Sequence, residues 1–158
     1  MKILVINSGS SSLKFQVIDS ESEKVLAKGL CERIGIDGIF TYRTDQVSVK
    51  EPVAMKDHTQ AVHTLLDTLV DDKKGIIESF QEIDVIGHRL VHGGEKFTGS
   101  VVVTDEVIQA MTECNDLAPL HNPANLIGVD ACRKLMPHTL MVGVFDTAFN
   151  QTMEPKAY

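Results

Sequence analysis

Apolar positions fall along this chain in two periods, and the switch between them divides it. Ile3-Leu4-Val5-Ile6 is a continuous apolar run, the pattern of a central strand covered on both faces. Leu13 to Asp19 roughly alternates, and Val25 to Leu30 reads as a third strand after the polar turn Ser20-Glu21-Ser22-Glu23. The chain therefore opens as an antiparallel meander of three strands. Phe40-Arg43 and Val47-Lys50 form a hairpin around Asp45-Gln46.

From Asp57 the period becomes helical. Val62, Leu65, Leu66, Leu69 and Val70 share one face, and Asp57 caps the start. Ile83 to His92 is strand-like and ends at Gly93-Gly94. Thr104-Asp105-Glu106 opens a helix with two acids in its first turn, where the helix dipole favours them. Asn122-Pro123 opens another, which stops before Pro137. Leu140 to Phe145 is a buried strand that meets Asp146. The predicted order is βββ, hairpin, α, β, α, α, β, without a repeat. The chain ends soon after the last strand, and that abruptness reads as a truncation.

Composition narrows the class. The 158 residues are 43% hydrophobic and 23% charged, an ordinary globular balance with room for one domain. A net charge of −7 argues against a nucleic-acid partner. No apolar run is long enough to span a membrane, and the N-terminal run is too short for a signal peptide. Cys31, Cys114 and Cys132 are far apart and form no CxxC, which points to a reduced, cytoplasmic setting without a disulfide frame or zinc site.

Four stretches carry candidate chemistry. Asn7-Ser8-Gly9-Ser10-Ser11-Ser12 reads either as a flexible hairpin loop or as an anion site. It leaves the C-terminal end of a buried strand, where α/β sheets place ligands. Small residues let backbone N–H groups approach an anion, the hydroxyls add donors, and Lys14 adds a positive charge. A P-loop needs a second glycine and a following helix, so an anion site here would be a phosphate loop of the β-turn-β kind, with the hairpin reading equally open. In Gly87 to Gly99, strand alternation sends Arg89 and Val91 to one face and His88, Leu90 and His92 to the other. A guanidinium beside a small apolar group suits a short carboxylate with a methyl tail, or else marks an edge arginine paired with a surface acid. His88 and His92 lack a ligand set and read as structural. His121 stands just before a helix N-terminus, which attracts anions, although a plain loop and capped helix explain the same residues. Asp146 follows a buried strand, where an acid either bonds its own turn or holds Mg²⁺ near phosphates.

Together, Val5-Ile6-Asn7-Ser8-Gly9-Ser10-Ser11-Ser12-Leu13-Lys14-Phe15, His88-Arg89-Leu90-Val91-His92-Gly93-Gly94 and Phe145-Asp146-Thr147-Ala148-Phe149 resemble the acetate kinases along the whole chain, in order. The resemblance implies an α/β actin-like, ribonuclease H-like ATPase lobe of the acetate and sugar kinase superfamily, with a mixed sheet flanked by helices. It implies ATP + acetate ⇌ ADP + acetyl phosphate with Mg²⁺. Asn7 matches a residue that positions Mg²⁺ and phosphate, Lys14 belongs to the ATP site, and Ser10 and Ser12 line the phosphate path. Arg89 matches the arginine of the acetate carboxylate, and Val91 and Leu120 match the walls of the methyl pocket. His121 matches a histidine beside the transferred phosphoryl group, and Asp146 the catalytic aspartate. Family members run more than twice as far, so residues 1–158 are expected to be the N-terminal lobe of a homodimeric enzyme, inactive when isolated. The missing lobe would hold the adenosine pocket, a second arginine, a second histidine and a Mg²⁺-binding glutamate. A propionate kinase and a non-catalytic anion-binding module are the other readings.

Overall fold

A computed structural model of the chain describes residues 1–90, 100–113 and 122–145. One mixed sheet organises them. Its strands are β1 (Lys2–Ser8), β2 (Leu13–Asp19), β3 (Lys24–Glu32), β4 (Ile39–Arg43), β5 (Ser48–Pro52), β6 (Ile83–Leu90), β7 (Ser100–Val102) and β8 (Leu140–Phe145). They lie in the order β5-β4-β3-β2-β1-β6-β8-β7. The first five strands form an antiparallel meander, longer than the three expected, because the hairpin of β4 and β5 continues it. On the other side of β1, β6 and then β8 run parallel to it, and β7 closes that edge antiparallel.

The helices are α1 (His58–Leu69), α2 (Asp105–Glu113) and α3 (Asn122–Leu135). Asp57 caps α1 as expected, its carboxylate accepting from the Gln60 amide at 2.9 Å. The alternation of the strands decides where the helices sit. Leu4 and Ile6 of β1, Leu13, Phe15 and Val17 of β2, and Ile86 of β6 are buried in one cluster with Ala61, Val62, Leu65, Leu66 and Leu69 of α1 and Ala131 and Cys132 of α3. Leu90 joins Val107 and Met111 of α2 and Val129 of α3. The three α-helices among the described residues thus cover a single face.

This corrects the expectation for β1. It is central in the sheet, but Ile3 and Val5 on its second face are only half-buried. An unbroken apolar run reports a central strand; it does not report that both of its faces are sealed by the described residues.

Gly29, inside β3, pairs with Phe15 on one side and Tyr42 on the other. A Cβ there would stand 2.4 Å from Phe15 Cζ and 2.4 Å from the Thr41 carbonyl oxygen. The missing side chain leaves space for the Phe15 ring, stacked on Phe40 with centroids 6.3 Å apart. Gly29→Ala is expected to lower unfolding stability by about 2 kcal/mol through overpacking. Urea denaturation checks this, and an unchanged midpoint would contradict it.

Candidate functional site

Strand pairing assembles the site. Asn7 of β1 pairs with Lys14 of β2. In the parallel pair, Ile6 lies beside His88, so Asn7 stands beside Arg89 on β6. Arg89 in turn pairs with Val144 of β8. Lys14, Asn7, Arg89 and Val144 therefore form a row across four adjacent strands, each step about 4.8 Å. Their parity is opposite to that of the helix-covered residues. All four are exposed on the open face, at the C-terminal end of β1, β6 and β8. In a chain of net charge −7, the row carries two cations and no acid.

The serine-rich loop begins at the end of this row, and the protein holds it by its carbonyls. The Ser8 carbonyl accepts from Asn125 Nδ2 of α3 at 2.9 Å. The Gly9 carbonyl lies 2.7 Å from His58 Nε2, at the start of α1. The Ser11 carbonyl accepts from the Ile34 amide and the Ser12 carbonyl from the Gly9 amide, both at 2.9 Å. No described residue accepts from the amides of Ser10, Ser11 or Ser12. Carbonyls turned toward the protein and amides left over are the polarity an anion requires. Ser10 and Ser11 are exposed and Ser12 half-buried. Packing fixes the strand beneath the loop: Gly128 of α3 approaches Ser8 so closely that a Cβ would be 2.7 Å from Ser8 Cβ.

Behind the row, His88 points to the helix side and is 3% exposed. Burial pushes its pKa down to about 4, and no described residue bonds its Nε2. The buried ring is neutral at physiological pH. Cys31 and Cys132 are also buried, and desolvation raises each thiol to about 12, which leaves them unreactive at neutral pH. Among the described residues there is no cluster of three metal-binding side chains. No described helix is long and apolar enough to cross a membrane.

The structure thus brings Asn7, Lys14 and Arg89 together, with Ser10 and Ser12 on the adjoining loop. Val91, Leu120, His121 and Asp146 lie outside the described residues. Val91 and Asp146 directly follow the ends of β6 and β8.

The model of the acetokinase family matches residues 2–158. The chain belongs to the acetokinase family. Over its full length it is 61% identical to an acetate kinase of Agathobacter rectalis and 57% identical to one of Lachnoclostridium phytofermentans. It spans 40% of the length of each. Among solved structures, the acetate kinase of Porphyromonas gingivalis superposes on 98% of the chain with a TM-score of 0.91 at 50% identity. A propionate kinase of Francisella tularensis superposes with a TM-score of 0.85 at 35% identity. The chain covers 39% of each of those chains. The eight-stranded mixed sheet with helices is the α/β, actin-like lobe expected from the acetokinase resemblance.

Sequence reasoning passed over His58 and Asn125. Their signal was weak: each is a buried polar residue in a helix, and each meets the loop only through tertiary packing, across 49 and 117 residues of chain.

Proposed function

We propose that the protein carrying this chain transfers a phosphoryl group between ATP and acetate, and that residues 1–158 form the N-terminal lobe of a cytoplasmic, homodimeric enzyme. The observation that carries this reading is the Lys14-Asn7-Arg89 row beside a loop that turns its carbonyls inward. Phosphoryl transfer spreads charge over equatorial oxygens, so positioning and charge neutralisation supply most of the catalysis. Lys14, the loop amides and the hydroxyls of Ser10 and Ser12 hold the phosphates of ATP. Arg89 aligns the attacking carboxylate with two parallel N–H donors, where a lysine gives only a point contact. Val91 and Leu120 enclose the methyl group, and His121 stands beside the transferred phosphoryl group.

Asn7 supplies an uncharged oxygen at the end of β1, and Asp146 a carboxylate at the end of β8. These hard donors fit Mg²⁺, which keeps several waters and takes few protein ligands beside substrate phosphates. Mg²⁺ bound there would neutralise phosphate charge. A carboxyl of ordinary pKa is ionised at neutral pH and the substrate acid needs no deprotonation, so Asp146 holds the ion or its waters and moves no proton.

Acetyl phosphate formation from ATP, acetate and Mg²⁺ tests the reading. At its natural length the protein is expected to turn over, and the 158-residue chain alone to transfer little or nothing. No turnover at natural length would refute the proposal. The likeness to a propionate kinase supports a second reading. Val91 leaves less room than alanine and favours acetate by about 1–3 kcal/mol, the usual discrimination for one methylene. A higher kcat/KM for propionate than for acetate would decide for the second reading.

A further inference from the structure

We propose that His58 is a positioning residue of the phosphate loop, keeping its amides available to a phosphate by holding the Gly9 carbonyl. The inference rests on the phosphate-loop reading above. A two-residue turn such as Gly9-Ser10-Ser11-Ser12 ordinarily closes with the Ser12 amide donating to the Gly9 carbonyl. Here the opposite bond is made, Gly9 amide to Ser12 carbonyl at 2.9 Å. His58 Nε2 lies 2.7 Å from the Gly9 carbonyl instead. A carbonyl oxygen only accepts, so Nε2 carries the proton and donates. The turn bond is replaced, and the Ser12 amide is left to a ligand.

The histidine is built for the task. It is 5% exposed, the first residue of α1, and fixed there by the Asp57 cap. Asn125, 4% exposed, takes the preceding carbonyl from the opposite helix. Two helices thus grip consecutive carbonyls of the loop, and the chain between them cannot relax into an ordinary hairpin. Without the His58 donor, the Gly9 carbonyl is free to recapture the Ser12 amide, moving the loop away from the phosphates.

In the protein at its natural length, His58→Leu is expected to lower kcat about 100-fold, the scale of a misplacement of about 1 Å. KM for the carboxylate should change little, because Arg89 is untouched. His58→Gln, which keeps an N–H donor near the Nε2 position, should recover most of the rate. Equal losses in the two variants would overturn the inference, as would an unchanged kcat in His58→Leu. Lys14→Ala serves as the reference for the site: if it is harmless too, the phosphate-loop reading itself falls and takes this inference with it. Nitrogen NMR of the wild-type imidazole needs no variant to fold. It should show the proton on Nε2 at neutral pH, and an Nδ1–H tautomer with bare Nε2 would exclude the bond.

Discussion

Arg89→Ala, in the protein at its natural length, is expected to reduce kcat/KM for acetate about 1,000-fold and to raise KM for acetate. Two charge-assisted hydrogen bonds are lost, each contributing about 1.5–3 kcal/mol. Arg89→Lys restores the charge and not the fork, so it should recover only part of the loss. KM for ATP should stay near its original value, since Lys14 and the serine loop remain. Arg89 is exposed at the end of β6, on the face away from the helices, so the substitution leaves the buried core untouched. A decline of less than about threefold in kcat/KM would separate Arg89 from the carboxylate and leave the row without its proposed purpose; such a factor corresponds to about 0.7 kcal/mol, below one ordinary hydrogen bond.

The residue before it governs acid stability. Folded His88 has a pKa near 4, against about 6.5 in an unfolded chain. The unfolded state therefore binds the extra proton between those values, and stability rises with pH across that window. The contribution is fully present above pH 6.5 and is lost as pH falls through 4. It amounts to about 3 kcal/mol in all, with a slope approaching 1.4 kcal/mol per pH unit. Asp19, Asp37, Asp71 and Glu82 have carboxyl pKa values lowered mainly by hydrogen bonds, so their loss falls at lower pH. Urea unfolding from pH 7 to 4.5, compared with His88→Gln, isolates the effect. The variant should show a flatter dependence, and identical slopes would show that His88 does not titrate on unfolding.

What the sequence made legible was local. Leu13–Asp19 and Leu140–Phe145 are strands with the expected bounds, because turn residues and a proline-stopped helix delimit them. The Asp57 cap and the apolar face of α1 followed from spacing alone, as did the opposite facing of His88 and Arg89. The three-residue β7 was missed, since so short a run carries no period. The half-open second face of β1 was missed because a run of apolar residues says nothing about which elements arrive to cover it. The row itself was illegible for a different reason. Lys14 meets Asn7 through a local hairpin, but Arg89 joins them only because β6 docks parallel to β1 across about eighty residues, and register over that distance is set by packing. His58 was overlooked on the same grounds, its contact with Gly9 being tertiary.

The strand order also sets a timetable for biosynthesis. β1 to β5 pair with neighbours in sequence, so the meander can close while the ribosome is still adding residues. The Ile34 amide emerges with it, and His58 follows soon after. Asn125 comes much later, and only then can the second helix seize Ser8. Until β6 is made one flank of the first strand waits unpaired, so the serine-rich loop matures from its N-terminal side, and the grip of Asn125 closes it last.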